Sequence, residues 1–89
     1  MSVAKQFGEN LARQRKLADQ SQEETAIRAG LHRTEISNLE RGLRLARADT
    51  IAKLAAALEA DPGEFFEGIV WQPGDIRYGQ FKPDDSATL

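Results

Sequence analysis

The chain has 89 residues, of which 40% are hydrophobic and 29% charged, and a net charge of −2. That length holds one small domain with a modest core, which dimerisation would help to stabilise. The absence of cysteine excludes disulfide scaffolds, thiol nucleophiles and cysteine-ligated zinc, and a single histidine, His32, argues against a catalytic triad or a multi-histidine metal site.

Helical spacing of Val3, Phe7, Leu11 and Ala18 predicts a first helix over 3–18, capped by Ser2. Gly8 lies inside it and disfavours helix by about 1 kcal/mol relative to Ala, which points to a close approach by a neighbouring element. Ser21-Gln22-Glu23-Glu24 is a capping box, and the helix it opens stops at Gly30. A third helix is predicted from Arg33 to about Arg41, with Ile36 and Leu39 inward and Gly42 at its end. Two short helices joined at a glycine bend are the signature of a helix-turn-helix unit.

Residues 43–47 read as a basic loop. A fourth helix follows over 48–59, with Ile51, Leu54, Ala55 and Leu58 as its apolar stripe. Asp61-Pro62-Gly63-Glu64 reads as a fifth helix start, with Asp61 as cap, Pro62 in the first turn and Glu64 closing the box. Phe65 and Phe66 anchor that helix, which ends near Gly68. Beyond it, Ile69-Val70-Trp71 and Ile76-Arg77-Tyr78 are β-prone, with Gln72-Pro73-Gly74-Asp75 as a turn between them. Residues 84–89 read as disordered.

The charge is unevenly spread. Residues 1–48 carry nine positive and six negative side chains, a net of +3, and residues 49–89 carry three and eight, a net of −5. Such asymmetry can aim one face at a polyanion. No apolar run approaches the roughly 20 residues that span a bilayer, and no signal-like stretch opens the chain. The expectation is a soluble cytoplasmic protein without membrane contact. It is not an enzyme, since it has no phosphate-binding glycine loop and no metal-ligand cluster, and neither cofactor nor metal is expected.

Phe7 to Phe66 resembles the lambda-repressor/Cro-like helix-turn-helix family, also called the xenobiotic-response-element type. The matching positions are Gly8, Leu11, Arg15, Ser21-Gln22-Glu23-Glu24, Ala26, Ala29-Gly30, Ile36-Ser37, Leu39-Glu40, Gly42, Asp49-Thr50-Ile51, Leu54-Ala55 and Leu58. The resemblance implies an all-α fold, a compact five-helix DNA-binding domain over 1–68. Residues 69–89 then form a C-terminal extended arm or hairpin, a candidate dimerisation arm. It also implies a bacterial or phage transcription regulator, most simply a repressor. Such a protein binds double-stranded DNA as a homodimer, on an inverted repeat with half-site centres about one helical turn apart. Restriction–modification controller proteins, also short members of the family, are similar.

In this geometry the second helix of the unit enters the major groove. Arg33, Thr34, Ser37 and Asn38 are then the base-contacting residues. Arg33 suits guanine O6 and N7, Asn38 suits adenine N6 and N7, and the Thr34 methyl suits thymine. Glu35 is expected to face an arginine or a cytosine. The family's pattern makes Gln22 a phosphate contact, with Arg41, Arg44 and Arg47 of the loop beside it. It makes Arg15 and Glu40 a buried ion pair of structural importance. Leu43 and Leu45, apolar in a loop, and the aromatic Trp71 are candidates for dimerisation.

The chain departs from the family pattern in five places. Gln20 and Thr25 stand where leucine is usual. Either helix 2 tilts, with Ile27 taking over burial, or the polar groups are satisfied locally. Asp19 replaces a helix-ending glycine, Ala46 a proline and Arg47 a capping serine, so the fourth helix is expected to start early or fray. An alternative reading is an antitoxin-like protein-interaction module whose acidic, aromatic tail binds a protein partner.

Overall fold

The computed structural model describes residues 2–75 and 78–82. Expectations for Ile76 and Arg77 and for residues 84–89 fall outside the described residues. Four α-helices follow one another: α1 (Val3–Leu17), α2 (Gln22–Ala29), α3 (Arg33–Glu40) and α4 (Ala48–Leu58). The fifth predicted helix is instead a single 3-10 turn, Pro62–Phe66, followed by an antiparallel hairpin of β1 (Trp71–Pro73) and β2 (Gly79–Phe81). Five residues between a proline and Gly68 leave no length for an α-helical ladder.

Local chemistry sets most boundaries. The Ser2 hydroxyl accepts from the Lys5 N–H at the head of α1 (3.2 Å). At α2 the box closes both ways: the Ser21 hydroxyl accepts from the Glu24 N–H, and the Glu24 carboxylate from the Ser21 N–H. Gly30 leaves α2 in the left-handed conformation at φ +68°. Asp19 takes the same conformation at φ +56° where a glycine is usual. Glu59 ends α4 at φ +51°, with no residue there to signal it in advance. The α4 helix starts at Ala48 without a side-chain cap from Arg47; it neither starts early nor extends through Glu59. Asp61 caps the 3-10 turn through the Gly63 N–H (2.8 Å), and Glu64 does not make the expected reciprocal bond.

The core is Phe7, Leu11, Ala26, Ala29, Ile36, Leu39, Leu54, Ala55, Ala57, Leu58 and Phe65. The Phe7 ring lies between Phe65 and Phe66, at 5.7 and 5.8 Å between centroids. Ile27 is 73% exposed, so α2 does not tilt to bury it. The polar pair is satisfied in place instead. Thr25, fully buried, donates to Gln20 Oε1 (2.9 Å), and Gln20 Nε2 donates to the Ala57 carbonyl (3.1 Å).

A second buried polar residue, Asn10, ties α1 to the chain beyond the core. Its amide nitrogen donates to the carbonyls of Phe65 and Glu67, both at 2.8 Å, while its oxygen accepts from Gln6 and Arg13. Sequence reading missed Asn10, because its partners lie 55 and 57 residues away. The hairpin's register is Trp71 opposite Phe81, Gln72 opposite Gln80 and Pro73 opposite Gly79. Gln72 and Pro73 are therefore strand residues, not the turn they were expected to form. Gly79 fixes that register, since a β-carbon there would lie 2.5 Å from the Trp71 ring.

Among the described residues no helix is long and apolar enough to cross a membrane.

Candidate nucleic-acid interface

The helix-turn-helix unit is α2, a three-residue bend (Gly30, Leu31, His32) and α3. Ile36 and Leu39 bury one face of α3. The opposite face carries Arg33 and Thr34, both exposed, and Ser37 and Asn38, both half-buried. The four predicted base-contacting residues thus share one side, with the first turn projecting furthest from the core. An eight-residue helix with this end free is about 12 Å long, enough to enter a major groove.

Glu35 sits differently from expectation. Its carboxylate turns back and accepts from the backbone N–H of His32 (3.2 Å), which fixes the start of α3. The pull of the nearest unpaired backbone donor at a helix head accounts for this. A narrow cleft of about 80 Å³ separates α3 from the following loop, lined by Glu35, Leu39, Arg44, Leu45, Arg47 and Thr50. Arg44 and Arg47 therefore stand beside the recognition helix, both exposed. Arg47 also lies 3.4 Å from the Asp49 carboxylate; both groups are largely solvated, so the pair is weak. Arg41 is exposed just after α3, and next to it Gly42 (φ +73°) packs against the α1 backbone at Lys5.

The Arg15–Glu40 pair is formed. Arg15 Nε reaches Glu40 Oε2 at 2.5 Å and Nη2 reaches Oε1 at 2.9 Å, with only 13% and 8% of the two side chains exposed. The hydrogen bond to Glu40 holds the Arg15 guanidinium above its ordinary pKa, against the opposing effect of burial. Arg15 also donates to the Gln20 carbonyl (2.9 Å), which ties the pair to the α1–α2 turn. Gln22, the first residue of α2, does not point freely into solvent. Its Nε2 donates to Glu40 Oε1 at 3.1 Å.

The dimerisation candidates lie on two elements, the loop after α3 and the hairpin, and Leu45 lines the cleft beside α3. Leu43 and Leu45 are 59% and 68% exposed in the loop. Trp71 lies on the hairpin, edge-on to Phe81 at 5.1 Å, and stays 53% exposed. It does not plug the core.

Residues 6–65 match the family model described as a helix-turn-helix domain. The control protein C.BamHI of Bacillus amyloliquefaciens is 40% identical over 50 residues, which are 56% of this chain and 62% of that protein. The chain thus matches less than two thirds of that relative's length. Among solved structures, the restriction–modification controller protein C.AhdI of Aeromonas hydrophila is similar at 36% identity and a TM-score of 0.71, over 74% of this chain and all of that one. An HTH_3 family transcriptional regulator from Vibrio cholerae is similar at 29% identity and a TM-score of 0.69, over 75% of this chain and 39% of that one. With the helix order, the exposed face of α3 and these likenesses in agreement, the chain belongs to the lambda-repressor/Cro-like helix-turn-helix family.

Proposed function

We propose that this protein is a sequence-specific, double-stranded-DNA-binding repressor of the restriction–modification controller type. It acts in the bacterial cytoplasm as a homodimer on an inverted repeat. The observation that carries the reading is the recognition helix itself: its inner face is locked into the core while Arg33 and Thr34 stand exposed at its free end. In this reading Arg33, Thr34, Ser37 and Asn38 contact base edges. Gln22, Arg41, Arg44 and Arg47 hold phosphates and set the register. Residues 1–68 are the DNA-binding unit and 69–89 its arm. The exposure of Leu43, Leu45 and Trp71 supports contact with a second subunit, and blocking polymerase is the simplest mode of repression.

A second reading is favoured by the hairpin. It lies outside the matched residues 6–65, and it exposes Trp71, Tyr78 and Phe81. Exposed aromatics of this kind are frequent anchors for a protein partner, as an antitoxin-like module would use.

Selection of binding sites from a randomised duplex pool at near-physiological salt tests the two. Recovery of an inverted repeat supports the dimeric regulator. Absence of any enriched sequence overturns it and directs attention to partners of residues 69–89.

A further inference from the structure

Glu40 Oε1 is shared. It accepts from Arg15 Nη2 at 2.9 Å and from Gln22 Nε2 at 3.1 Å. The ion pair inside the domain and the first residue of α2 are therefore one network. We propose that Glu40 is a positioning residue for DNA binding, which holds the Gln22 amide so that its second N–H faces a backbone phosphate. The inference rests on the reading of Gln22 as a phosphate contact.

A side-chain amide has an N–H2 end that donates and an oxygen end that accepts, and the two ends have nearly the same shape. Only the N–H2 end suits a phosphate; the oxygen end would repel it. A free glutamine at a helix start samples both orientations. The Glu40 carboxylate, paired to Arg15, only accepts, so it draws the N–H2 end toward itself and turns the oxygen away. One N–H is used on Glu40 and the other remains. Burial of the carboxylate, with 8% of its side chain exposed, keeps water from competing for that bond and fixes the amide before DNA arrives. Ordering a contact in advance lowers the entropy lost on binding. Glu40 itself stays too deep to meet the DNA.

Three variants test this by a double-mutant cycle: Gln22→Ala, Glu40→Gln and the pair together. The probe is the duplex recovered by site selection or, failing that, a short mixed-sequence duplex at low salt. Affinity is measured well below the melting temperature, with folding checked by circular dichroism. Gln22→Ala is expected to weaken binding roughly three- to tenfold, the range for one hydrogen bond of ordinary net strength, since a phosphate contact at the rim stays partly solvated. Glu40→Gln is expected to weaken it by a similar factor, because its own amide can hold Gln22 by either end. In the Gln22→Ala background, Glu40→Gln should then cost clearly less than in the wild type, the remainder being the effect of weakening the Arg15 pair. An equal loss in both backgrounds would overturn the inference while leaving Gln22 as a phosphate contact. No loss in Gln22→Ala would remove the phosphate reading and the inference with it.

Should Glu40→Gln fail to fold, the wild-type protein carries the test by nuclear magnetic resonance. The two Gln22 amide protons are expected to be resolved in the free protein, and the one not bonded to Glu40 should shift on adding duplex. A second proton that stays unmoved while the recognition-helix signals shift sinks the inference.

Discussion

Gly8 and Leu39 meet backbone to backbone. A β-carbon on Gly8 would overlap the Leu39 carbonyl oxygen and lie 2.7 Å from that of Glu40. Helix α1 thus crosses the end of the recognition helix at a distance that only glycine permits. Gly8→Ala is therefore expected to destabilise the fold by ~2 kcal/mol or more, although alanine is the better helix former by about 1 kcal/mol. Urea unfolding checks this; a variant more stable than the wild type would refute the contact.

The buried Thr25 hydroxyl and the Gln20 amide satisfy each other. Thr25→Val keeps the shape and leaves Gln20 Oε1 without its donor, at an expected loss of about 1–2 kcal/mol. Replacing both residues by leucine, the usual choice at these positions in the family, should recover most of that loss. Thermal melts of the single and double variants separate local satisfaction from a mere volume effect.

Asn10 holds the carbonyls of Phe65, in the 3-10 turn, and of Glu67, just after it, from the side of α1. Asn10→Leu strands both and is expected to lower stability by roughly 2–4 kcal/mol. Loss should be largest at the 3-10 turn and the hairpin base. Hydrogen exchange at the Ile69 amide, which bonds to the Phe66 carbonyl, reports on that region directly. Unchanged protection there would show that the turn is held by Phe65 alone.

The two contact classes of the proposed interface have different signatures. Arg33→Ala should relax base preference at one position of each half-site and cost about 1–3 kcal/mol on the preferred site. Arg44→Ala and Arg47→Ala should weaken all sequences alike, and each should reduce the salt slope by about 1. Binding titrations at several salt concentrations on matched and altered sites read both. If Arg33→Ala leaves the preferred sequence unchanged, the recognition face is misassigned.

Leu43 and Leu45 are exposed in the single chain, so replacing both by serine should leave its intrinsic stability within about 0.5 kcal/mol. Should they lie between subunits, the same change shifts sedimentation toward the monomer and weakens DNA binding in a concentration-dependent way. A dimer of unchanged strength transfers the role to the hairpin, where Trp71→Ala is the matching test.

Features written within a few residues were legible in the sequence. The Ser21–Glu24 box, the Gly30 exit, the Asp61 cap and the inward pair Ile36 and Leu39 all depend on neighbours one turn away. The hairpin misled for a local reason as well: Pro73-Gly74 is a strong turn signal, yet Gly79 is needed opposite Pro73 to clear the Trp71 ring, and that moves the strands. Asn10 was invisible because α1 and the 3-10 turn meet only after folding. Of the interface, the family pattern supplied the Arg15–Glu40 pair. It did not supply Gln22 as a partner of Glu40, since no spacing rule joins residues 18 apart.

The recognition helix behaves as a cantilever. Its root is gripped on several sides at once: Leu39 and Glu40 lie against Gly8, Glu40 is held by Arg15, and Gln22 is hung from the same oxygen. Its tip, Arg33 and Thr34, is exposed. Over a lever of about 12 Å, a tilt of about 5° at the root moves the tip by about 1 Å, enough to break a bidentate bond to a base. If the proposed base contacts hold, sequence drift at the root would change which sequences the helix reads while Arg33, Thr34, Ser37 and Asn38 stay the same.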